Sequence, residues 1–528
     1  MGIQLTGLVH GQQPPRDLYN TAFIPLKIRY NGKIQDRALI PNLYVSNKAE
    51  RFVDYNANIT EQCYKPLAEM DVFSRLPYNM SPSLLNDLLI RQRKVYDRII
   101  ESEKKSFDRF GGHSNAVAQA SPNHVIMPLA KDRDKLLYVL WSIEEHEKHY
   151  GRFPEGIWLP ETAVDKKTLS LLADLGIKYV VLDPRQAKKC KPIFSGEDSW
   201  QNVDGGRIDT SRPYKVYFED TKKEIAIFFY DKDFSANTGF PNDYTKWIYD
   251  SSENFIYRWL AAKGDFKHFA VDVETFGHHL QGKADLLAGS LNLIDNSSNQ
   301  WSNANLTNYG LFLAQNQPSW DVEITDNSSW SCQHGLVRWG KQFHNEADNC
   351  HEGTLGSEWR VEMRKAFDRL AIDLDGIFSR HSDRYFLEPK KALEDYGAVV
   401  SGKQTFYDFF DVYGKKGLSA NEIEEAYMIM EMEKLKLLMF TSCGWFHDYV
   451  GRPEPLANFL CAYSTIQIAK HFEPRSRIEE RFLLLPEEEK LLKAPGKYYE
   501  QAKIDMLMVY KDAKSTMQSF QNSLPIAA

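Results

Sequence analysis

Cysteine is scarce in this sequence, and long apolar runs are absent from it. The 528 residues include only six cysteines, too few for a disulfide framework, so free thiols in a reducing cytosol are the simplest interpretation. The first ten residues have no basic segment followed by an apolar one, so we expect no signal peptide. No apolar run approaches the roughly 20 residues of a membrane span. We therefore predict a cytoplasmic protein without a membrane partner.

An excess of positive charge is also missing. The formal net charge is −7, with a sequence pI near 6.1. Nucleic-acid-binding proteins need a basic surface to meet phosphates, so we expect no nucleic-acid partner. A neutral sugar requires charge of neither sign. The 11 tryptophans and 27 tyrosines suit sugar stacking, although large cores are the commoner reason for such numbers.

Two regions differ in their periodicity. Up to about residue 310, short apolar segments alternate with amphipathic helices, which is typical of βαβ units in a mainly parallel sheet, open or closed into a barrel. From there onward the pattern is helical. We therefore predict an α/β domain over residues 1–310 and a mostly helical domain over residues 311–528. The candidate strands are Ile3–Val9, His124–Leu129, Ile177–Asp183, Glu224–Tyr230 and His268–Glu274.

Helices are predicted where apolar periodicity ends at a glycine or begins at a capping residue. Ser419–Glu422 has the pattern of a capping box. The stretch Asn296–Asp326, rich in Asn, Ser and Gln, is predicted to be a connecting loop region. The main candidate helices are Lys131–Tyr150, Asp165–Leu175, Tyr244–Lys263, Gly356–Arg380 and Ser419–Phe440.

An acidic residue follows the short apolar strand in Gly156–Ala163. Pro160 cannot donate to a ladder and stops the strand. Glu161 then stands at the strand exit, and parallel α/β folds gather their functional groups at the carboxyl ends of strands. The alternative is a solvated glutamate at the entrance of a helix.

A second acidic segment, His268–His279, contains Asp272 and Glu274. Side chains alternate across a strand, so both acids would point to one face. Two acids in an apolar strand are costly unless they are hydrogen-bonded or functional. The adjacent His278 and His279 suit sugar hydroxyls, while a metal site is the alternative. His10 ends the first candidate strand, where a structural histidine is the commoner case.

Together these segments resemble glycoside hydrolase family 57, which includes α-amylases, 4-α-glucanotransferases and branching enzymes. The matching segments are His10–Arg16, Gly156–Glu161, Ile227–Asp231 and Asp272–Gly277. The resemblance is closest to a longer-chain branch with an additional C-terminal domain of unknown function. The features shared with that branch include His113–Asn115, Asn123–Leu129, Trp330–Gly335 and Phe440–Asp448. Gln12 stands where many members have a second histidine, and Tyr230 where others usually have arginine.

The resemblance implies a distorted (β/α)7 barrel followed by a C-terminal α-helical domain that closes over the substrate cleft. It also implies an enzyme that acts on α-glucans such as starch, glycogen or maltodextrin with retention of configuration. Glu161 would be the nucleophile and Asp272 the general acid/base, kept protonated by burial and by the like charge of Glu274. The candidates for substrate contacts are His10, His124, Trp158, Glu274, His278, Trp445 and Asp448.

Several alternatives stay open at this stage. Gln12 and Tyr230 leave room for an inactive glycan-binding or regulatory protein on the same fold. A metal-dependent polysaccharide deacetylase is a further alternative, although that chemistry needs a clustered metal triad. Helix core and cap are as good an interpretation of Trp445 and Asp448 as substrate contact. We predict no cofactor and no metal, although a zinc site could in principle be built from Cys332, His334, Cys350 and His351.

Overall fold

The structure is a computed structural model, and its chain divides into two compact units. It describes residues 2–13, 29–30, 33–34, 55–296, 300–340, 359–447, 450, 453–483 and 511. The first unit comprises Met1–Gln13, Val53–Ala120 and His146–Ser331. The second comprises Pro14–Phe52, Ser121–Glu145 and Cys332–Ala528. Among the described residues, no helix combines the length and the apolar character that crossing a membrane requires.

Seven short strands, almost completely buried, organise the first unit. In chain order they are β1 (Ile3–Gly11), β2 (Tyr78–Met80), β3 (Ala118–Gln119), β4 (Ile157–Trp158), β5 (Tyr179–Leu182), β6 (Lys223–Phe229) and β7 (Phe266–Asp272).

These strands follow one another around a ring, each beside the next in the sequence. β1 is parallel to both β7 and β2, β3 to β4, and β5 to β6. Single parallel bridges, Tyr78 to Ala116 and Gly156 to Tyr179, join β2 to the start of β3 and β4 to β5. Between β6 and β7, the Asp231 N–H donates to the His268 carbonyl at 2.8 Å. The pairing is thin at three places, as expected of a distorted barrel.

A mixed sheet extends from one side of this ring. β6 pairs antiparallel with Tyr214–Phe218, which leads on to Trp320–Ile324, Ala187–Pro192 and Gln201–Asn202. A further strand, Ala304–Leu306, is parallel to the start of β1. The prediction of a connecting loop over Asn296–Asp326 is therefore wrong, because this stretch contains two strands and the helix Tyr309–Gln315.

The helices of the first unit pack mainly through apolar residues against the ring. A hydrophobic cluster joins β1, β2 and β7 to the helices that follow β2 and β6. The predicted helix Tyr244–Lys263 is shorter than expected, because Ser251 caps a helix that begins at Ser252. The helices are Tyr55–Ile59, Thr60–Tyr64 (a π-helix), Lys65–Glu69, Pro82–Arg91, Arg93–Arg109, Lys166–Asp174, Lys232–Gly239, Ser252–Leu260, Ala284–Asp295 and Tyr309–Gln315.

The described part of the second unit is almost entirely helical. The capping box at Ser419 is present, with the Ser419 and Glu422 side chains each bonded to the other's backbone N–H. The prediction of a strand at His124–Leu129 is wrong. Only a bridge from Val125 to Thr441 forms there, and Pro128, which has no N–H for a ladder, lies in the 3₁₀ turn Met127–Leu129. The closing of this region over a substrate cleft stays a prediction.

Four long helices dominate this unit, and shorter ones connect them. Lys436 is fully buried among Asp134, Asp375 and Glu433, which come from three of the long helices. The last residues of the first helix, from His146, belong to the first unit. The helices are Asp132–Tyr150, Trp359–His381, Pro389–Asp395, Gly397–Val400, Phe406–Tyr413, Ala420–Leu438, Cys443–Phe446, Pro453–Phe472 and Ile478–Leu483.

Candidate active site

The register of the ring brings several polar side chains to one level at its carboxyl edge. His10 near the end of β1 is paired in register with Asp272 of β7 on one side and with Asn79 of β2 on the other. Gln119 of β3 is paired with Trp158 of β4. Parallel strands therefore place these residues side by side where the βα loops begin, as the sequence predicted for Asp272 and His10.

A directed chain of hydrogen bonds fixes the His10 imidazole. Asn79 donates through its amide to Gln119 Oε1 at 2.6 Å, and Gln119 donates to Gln12 Oε1 at 3.2 Å. The Asn79 oxygen is therefore the atom that faces His10 Nδ1, at 3.0 Å, so the imidazole carries its proton there. Burial lowers the pKa of His10 to about 4. In a neutral imidazole of this tautomer, Nε2 is an acceptor atom.

Glu161 occupies a strained turn directly after β4. Its φ of 57° lies in the left-handed region, which is rare for a residue with a side chain. Its Oε2 accepts hydrogen bonds from the Trp330 indole N–H at 3.0 Å and from the Ser331 hydroxyl at 2.5 Å. Strained backbone that the surroundings hold in place is a feature of functional sites.

Asp272 ends strand β7 in surroundings that favour its protonated form. Its side chain keeps part of its surface open to solvent. The surrounding protein raises the pKa of Asp272 well above its ordinary value, first by desolvation, then through the charges of Glu274 and Glu161. Glu161 is thus close enough to act electrostatically on Asp272. The arrangement pairs a carboxyl that favours its proton with a hydrogen-bonded carboxylate, the combination that an acid and a nucleophile require.

Glu274 is buried and does not belong to the strand. The strand ends at Asp272, and Glu274 lies in the turn Val273–Thr275, so the prediction that one strand presents both acids is wrong. Its Oε1 accepts hydrogen bonds from the Tyr64 hydroxyl, from Gln13 Nε2 at 3.3 Å and from the Gln12 N–H at 3.2 Å. Desolvation raises the pKa of Glu274, while these donors oppose the rise.

The chain leaves Glu274 through a sharp turn that only glycine fits. Gly277 has a φ of 142°, and a Cβ there would lie 2.1 Å from the Gln62 carbonyl oxygen. His278 follows, with its Nδ1 3.0 Å from Gln62 Oε1. Substrate contact by His278 stays a prediction.

Aromatic rings line the edge between His10 and Glu161. The His10 ring stacks on Trp158, with centroids 5.0 Å apart, and Trp158 contacts Trp330 edge to face at 5.1 Å. Tyr230 contacts Trp330 at 6.3 Å. Burial is the main cause that raises the pKa of Tyr230, and Asp272 is one of the smaller causes. A chain of ring contacts and one indole hydrogen bond thus connects His10 with Glu161.

The remaining predicted contacts belong to the second unit. His124 is buried, with its Nδ1 2.6 Å from the Ser442 hydroxyl. The Trp445 indole is fully buried, donates to the Arg360 carbonyl at 3.1 Å and lies 5.6 Å from the Phe367 ring. These contacts fit the helix-core interpretation of Trp445. Asp448 lies outside the described residues.

Truncation of Trp445 is expected to destabilise the protein. Trp445→Ala removes a fully buried indole and leaves a cavity, so the free energy of unfolding should fall by about 3–5 kcal/mol. Chemical denaturation measures the change, with Trp247→Ala as the control because Trp247 is 41% exposed. Equal stability of the two variants would contradict the core position of Trp445.

The four residues considered for zinc are only partly described. Cys332 is buried and His334 is half-buried, whereas Cys350 and His351 lie outside the described residues. Within the described ranges no group of three or more His, Cys, Asp or Glu side chains is arranged to hold a metal ion.

Sequence reasoning missed several residues that build this edge. Trp330 and Ser331 belong to a segment that it singled out only as a shared motif. Tyr64 comes from a helix that no motif marks, and Arg185 follows Asp183, the polar residue that ends the predicted strand Ile177–Asp183. The one available signal was Trp330 itself, a tryptophan in a polar segment far from any predicted strand.

Comparison with known proteins identifies two regions of the chain. Residues 50–288 match the model of glycosyl hydrolase family 57, and residues 356–497 match a domain of unknown function, DUF3536. Over residues 50–288 the chain is similar to glycosyl hydrolase family 57. This confirms the expected family, the additional C-terminal domain and the glycoside hydrolase class of enzyme. No protein among the curated ones matches the chain by sequence.

Solved structures with the same fold include three named for action on α-glucans or for branching. An exo-type maltose-forming amylase from Pyrococcus sp. ST04 shares 16% identity at a TM-score of 0.63, covering 92% of this chain and 82% of its own. A GH57-type branching enzyme from Pyrococcus horikoshii shares 14% identity at a TM-score of 0.53, and the match covers 99% of this chain and 96% of the enzyme's chain. A 4-alpha-glucanotransferase from Thermococcus litoralis shares 15% identity at a TM-score of 0.50, and the match covers 89% of this chain and 60% of the enzyme's chain. The family 57 fold extends over nearly the whole chain.

Proposed function

We propose that this family 57 enzyme cleaves or transfers α-glucan chains with retention of configuration, using Glu161 as nucleophile and Asp272 as general acid/base. The observation that carries the proposal is the placement of two acids at the carboxyl edge of the ring, Glu161 in a strained turn after β4 and Asp272 at the end of β7. The charge of Glu161 contributes to the raised pKa of Asp272, and only Glu161 has its carboxylate bonded by the Trp330 and Ser331 donors.

The two groups divide the chemistry between them. In the first step, Glu161 attacks the anomeric carbon and the bond to the leaving oxygen breaks, while Asp272 gives its proton to that oxygen. In the second step, Asp272 takes a proton from water or a sugar hydroxyl. The oxygen of that group then displaces Glu161 from the anomeric carbon. For this two-step reaction, the carboxyl groups of Glu161 and Asp272 should be about 5–5.5 Å apart when substrate is bound.

The substrate class is inferred from the relatives and from the chemistry of the edge. The similar structures are named as an amylase, a branching enzyme and a 4-α-glucanotransferase. Neutral His10 offers an acceptor to a hydroxyl, and Trp330, partly exposed, offers a ring to the apolar face of a sugar. An oligo- or polysaccharide of glucose fits both groups without needing charge.

Two alternatives have less support. An inactive glycan-binding protein would not need a strained Glu161 or an acid with a raised pKa, yet the ring edge has both. A metal-dependent deacetylase needs at least three ligands together, and the described residues offer no such group. His278, the histidine considered as a metal ligand with Asp272, faces Gln62 instead.

Incubation with maltoheptaose tests the proposal and identifies the acceptor. Shorter maltodextrins alone mean that water takes the glycosyl group, whereas longer ones as well mean transfer to another glucan. Newly formed α-anomers, observed by proton NMR at early times, would establish retention. A β-anomeric first product, or no reaction with any α-glucan, would contradict the proposal.

Glu274 should set the upper pH limit of activity. Glu274→Gln keeps an oxygen for the Tyr64 and Gln13 donors but removes the charge that raises the pKa of Asp272. Asp272 then loses its proton at a lower pH, so the basic limb of the kcat/KM profile should move to lower pH. Glu253→Gln, an exposed position, is the control. An unchanged basic limb in Glu274→Gln would show that this charge does not act on the general acid.

A further inference from the structure

We propose that Trp330 and Ser331 are positioning residues that hold Glu161 ready for attack, an assignment that rests on the proposed role of Glu161. Neither residue lies in the matched family segment, which ends at residue 288. Both lie at the end of the first unit, which closes at Ser331. The chain thus uses its last residues in this unit to complete the nucleophile's surroundings.

The dipeptide binds Glu161 at both its backbone and its side chain. The Trp330 backbone N–H donates to the Glu161 carbonyl at 3.1 Å. The Trp330 indole and the Ser331 hydroxyl both donate to Oε2, at 3.0 and 2.5 Å. Two donors on one oxygen orient the carboxylate plane and favour its charged form. Fixed backbone and fixed side chain together keep the attacking group in one orientation.

The dipeptide is itself anchored by a polar triad in which Asp183 and Tyr230 are buried and Arg185 is exposed. The Arg185 guanidinium donates to the Trp330 carbonyl at 2.7 Å. It also forms two parallel hydrogen bonds with the Asp183 carboxylate, both at 2.8 Å. Asp183 accepts a third from the Tyr230 hydroxyl at 2.7 Å. Such a bidentate pair fixes the guanidinium plane, so the position of Trp330 is determined by strands β5 and β6.

The turn at Glu161 needs this support because its backbone is strained. Both Glu161 and Thr162 have positive φ, 57° and 48°. Left-handed conformations of residues with side chains cost roughly 1–2 kcal/mol each and persist only when the surroundings impose them. Gln186 donates to the Thr162 carbonyl at 2.8 Å, and the Val164 N–H donates to the Ser328 carbonyl at 3.0 Å. Segment 328–331 therefore supports the turn along its length.

Ser331→Ala is the cleanest test, because it removes one donor and leaves the aromatic rings in place. A hydrogen bond to a charged group contributes enough that kcat should fall about 10- to 100-fold. KM should stay within about twofold, because the hydroxyl acts through Glu161. The acidic limb of the kcat/KM profile should move to higher pH, since the carboxylate loses a donor that favours its charged form. Trp330→Phe, which loses the indole N–H, should behave in the same way.

Matched controls separate positioning from a general effect on the fold. Ser319→Ala removes an exposed hydroxyl directly before the strand Trp320–Ile324, outside the segment that supports Glu161. Trp320→Phe removes an indole from a strand of the mixed sheet. Both should keep the activity and the pH profile of the unchanged protein. If Trp330→Phe does not fold, Ser331→Ala alone carries the test.

The outcomes distinguish this inference from the proposed function. If Glu161→Gln is inactive while Ser331→Ala keeps both its kcat and its acidic limb, the positioning role is wrong and the nucleophile stands. If the unchanged protein acts on no α-glucan, the proposed function fails, and crystal structures then decide the positioning role. A Glu161 carboxylate that moves in Ser331→Ala but not in Ser319→Ala supports it, and one that keeps its place in both overturns it.

Discussion

Glu161→Gln is expected to abolish turnover of α-glucans while leaving fold and sugar binding intact. The amide has the size of the carboxylate, and its oxygen can still accept from Trp330 and Ser331. It cannot form the glycosyl-enzyme bond. Loss of the nucleophile from an otherwise complete site should lower kcat between about 10⁴- and 10⁶-fold. Product formation from maltoheptaose measures the rate, and calorimetric titration of maltoheptaose into the variant measures binding.

Azide and a second variant, Glu161→Gly, provide a stereochemical control for the role of Glu161. In Glu161→Gly, azide can enter the space of the missing carboxylate and attack an activated α-glucosyl fluoride directly, so the product should be the β-azide. Attack from that face inverts the anomeric centre, whereas the unchanged enzyme inverts it twice. Wild-type turnover by Glu161→Gln, or an α-azide from Glu161→Gly, would show that another group is the nucleophile.

Most of the ring strands were predictable from the sequence, the two-residue β4 because Pro160 marks its end. Five of the seven ring strands were expected, including β1 and β7. The two that were missed, β2 and β3, have three and two residues. Such short segments have no periodicity to detect, and they exist because neighbouring strands pair with them. Local pattern likewise misassigned Asn296–Asp326, where tertiary pairing makes strands from polar residues.

The two carboxyls of the site were predictable for a different reason. Each follows an apolar strand, and the carboxyl edge of parallel strands collects functional groups whatever the details of packing. The donors that hold Glu161 were not predictable in this way. Trp330 is 169 residues from Glu161 in the sequence, and no local pattern records which loop returns to which strand end. The Tyr64 bond to Glu274 spans 210 residues and is hidden for the same reason.

The site combines features that each cost stability. Glu161 has a left-handed backbone, and the pKa values of Asp272 and Glu274 are both raised, mainly by desolvation. Structural roles alone would favour a glycine at the first position and neutral side chains at the others. A functional requirement for these acidic side chains explains why they are present despite their cost in stability. Replacing one of them with a neutral isostere should therefore stabilise the protein.

Asp272→Asn should show the loss of function and the gain of stability separately. Without a proton donor, cleavage of natural glucans should slow by roughly 10²–10⁴-fold. An activated aryl α-glucoside needs no proton on its leaving oxygen, so it should still form the glycosyl-enzyme. Azide can then release the sugar without a general base, and it should yield the α-azide because Glu161 is still present. Assays of maltoheptaose and of the aryl glucoside, with and without azide, measure the contrast.

The same substitution should raise the melting temperature near neutral pH. The pKa of Asp272 is higher in the folded protein than in the unfolded chain, first because of desolvation and then because of Glu274 and Glu161. The unfolded chain therefore releases this proton at a lower pH. Below the unfolded pKa both states hold the proton, and ionisation of this group costs no stability. As pH rises toward the folded pKa, the unfolded chain loses the proton first and the free energy of unfolding falls. The asparagine amide cannot ionise, so the Tm advantage of Asp272→Asn should be absent in acid and grow with pH.

Differential scanning calorimetry across this pH range tests the expected Tm advantage, with Asp250→Asn as the control. A Tm difference that does not depend on pH, together with unimpaired cleavage of maltoheptaose, would show that Asp272 neither has a raised pKa nor is the proton donor of this site.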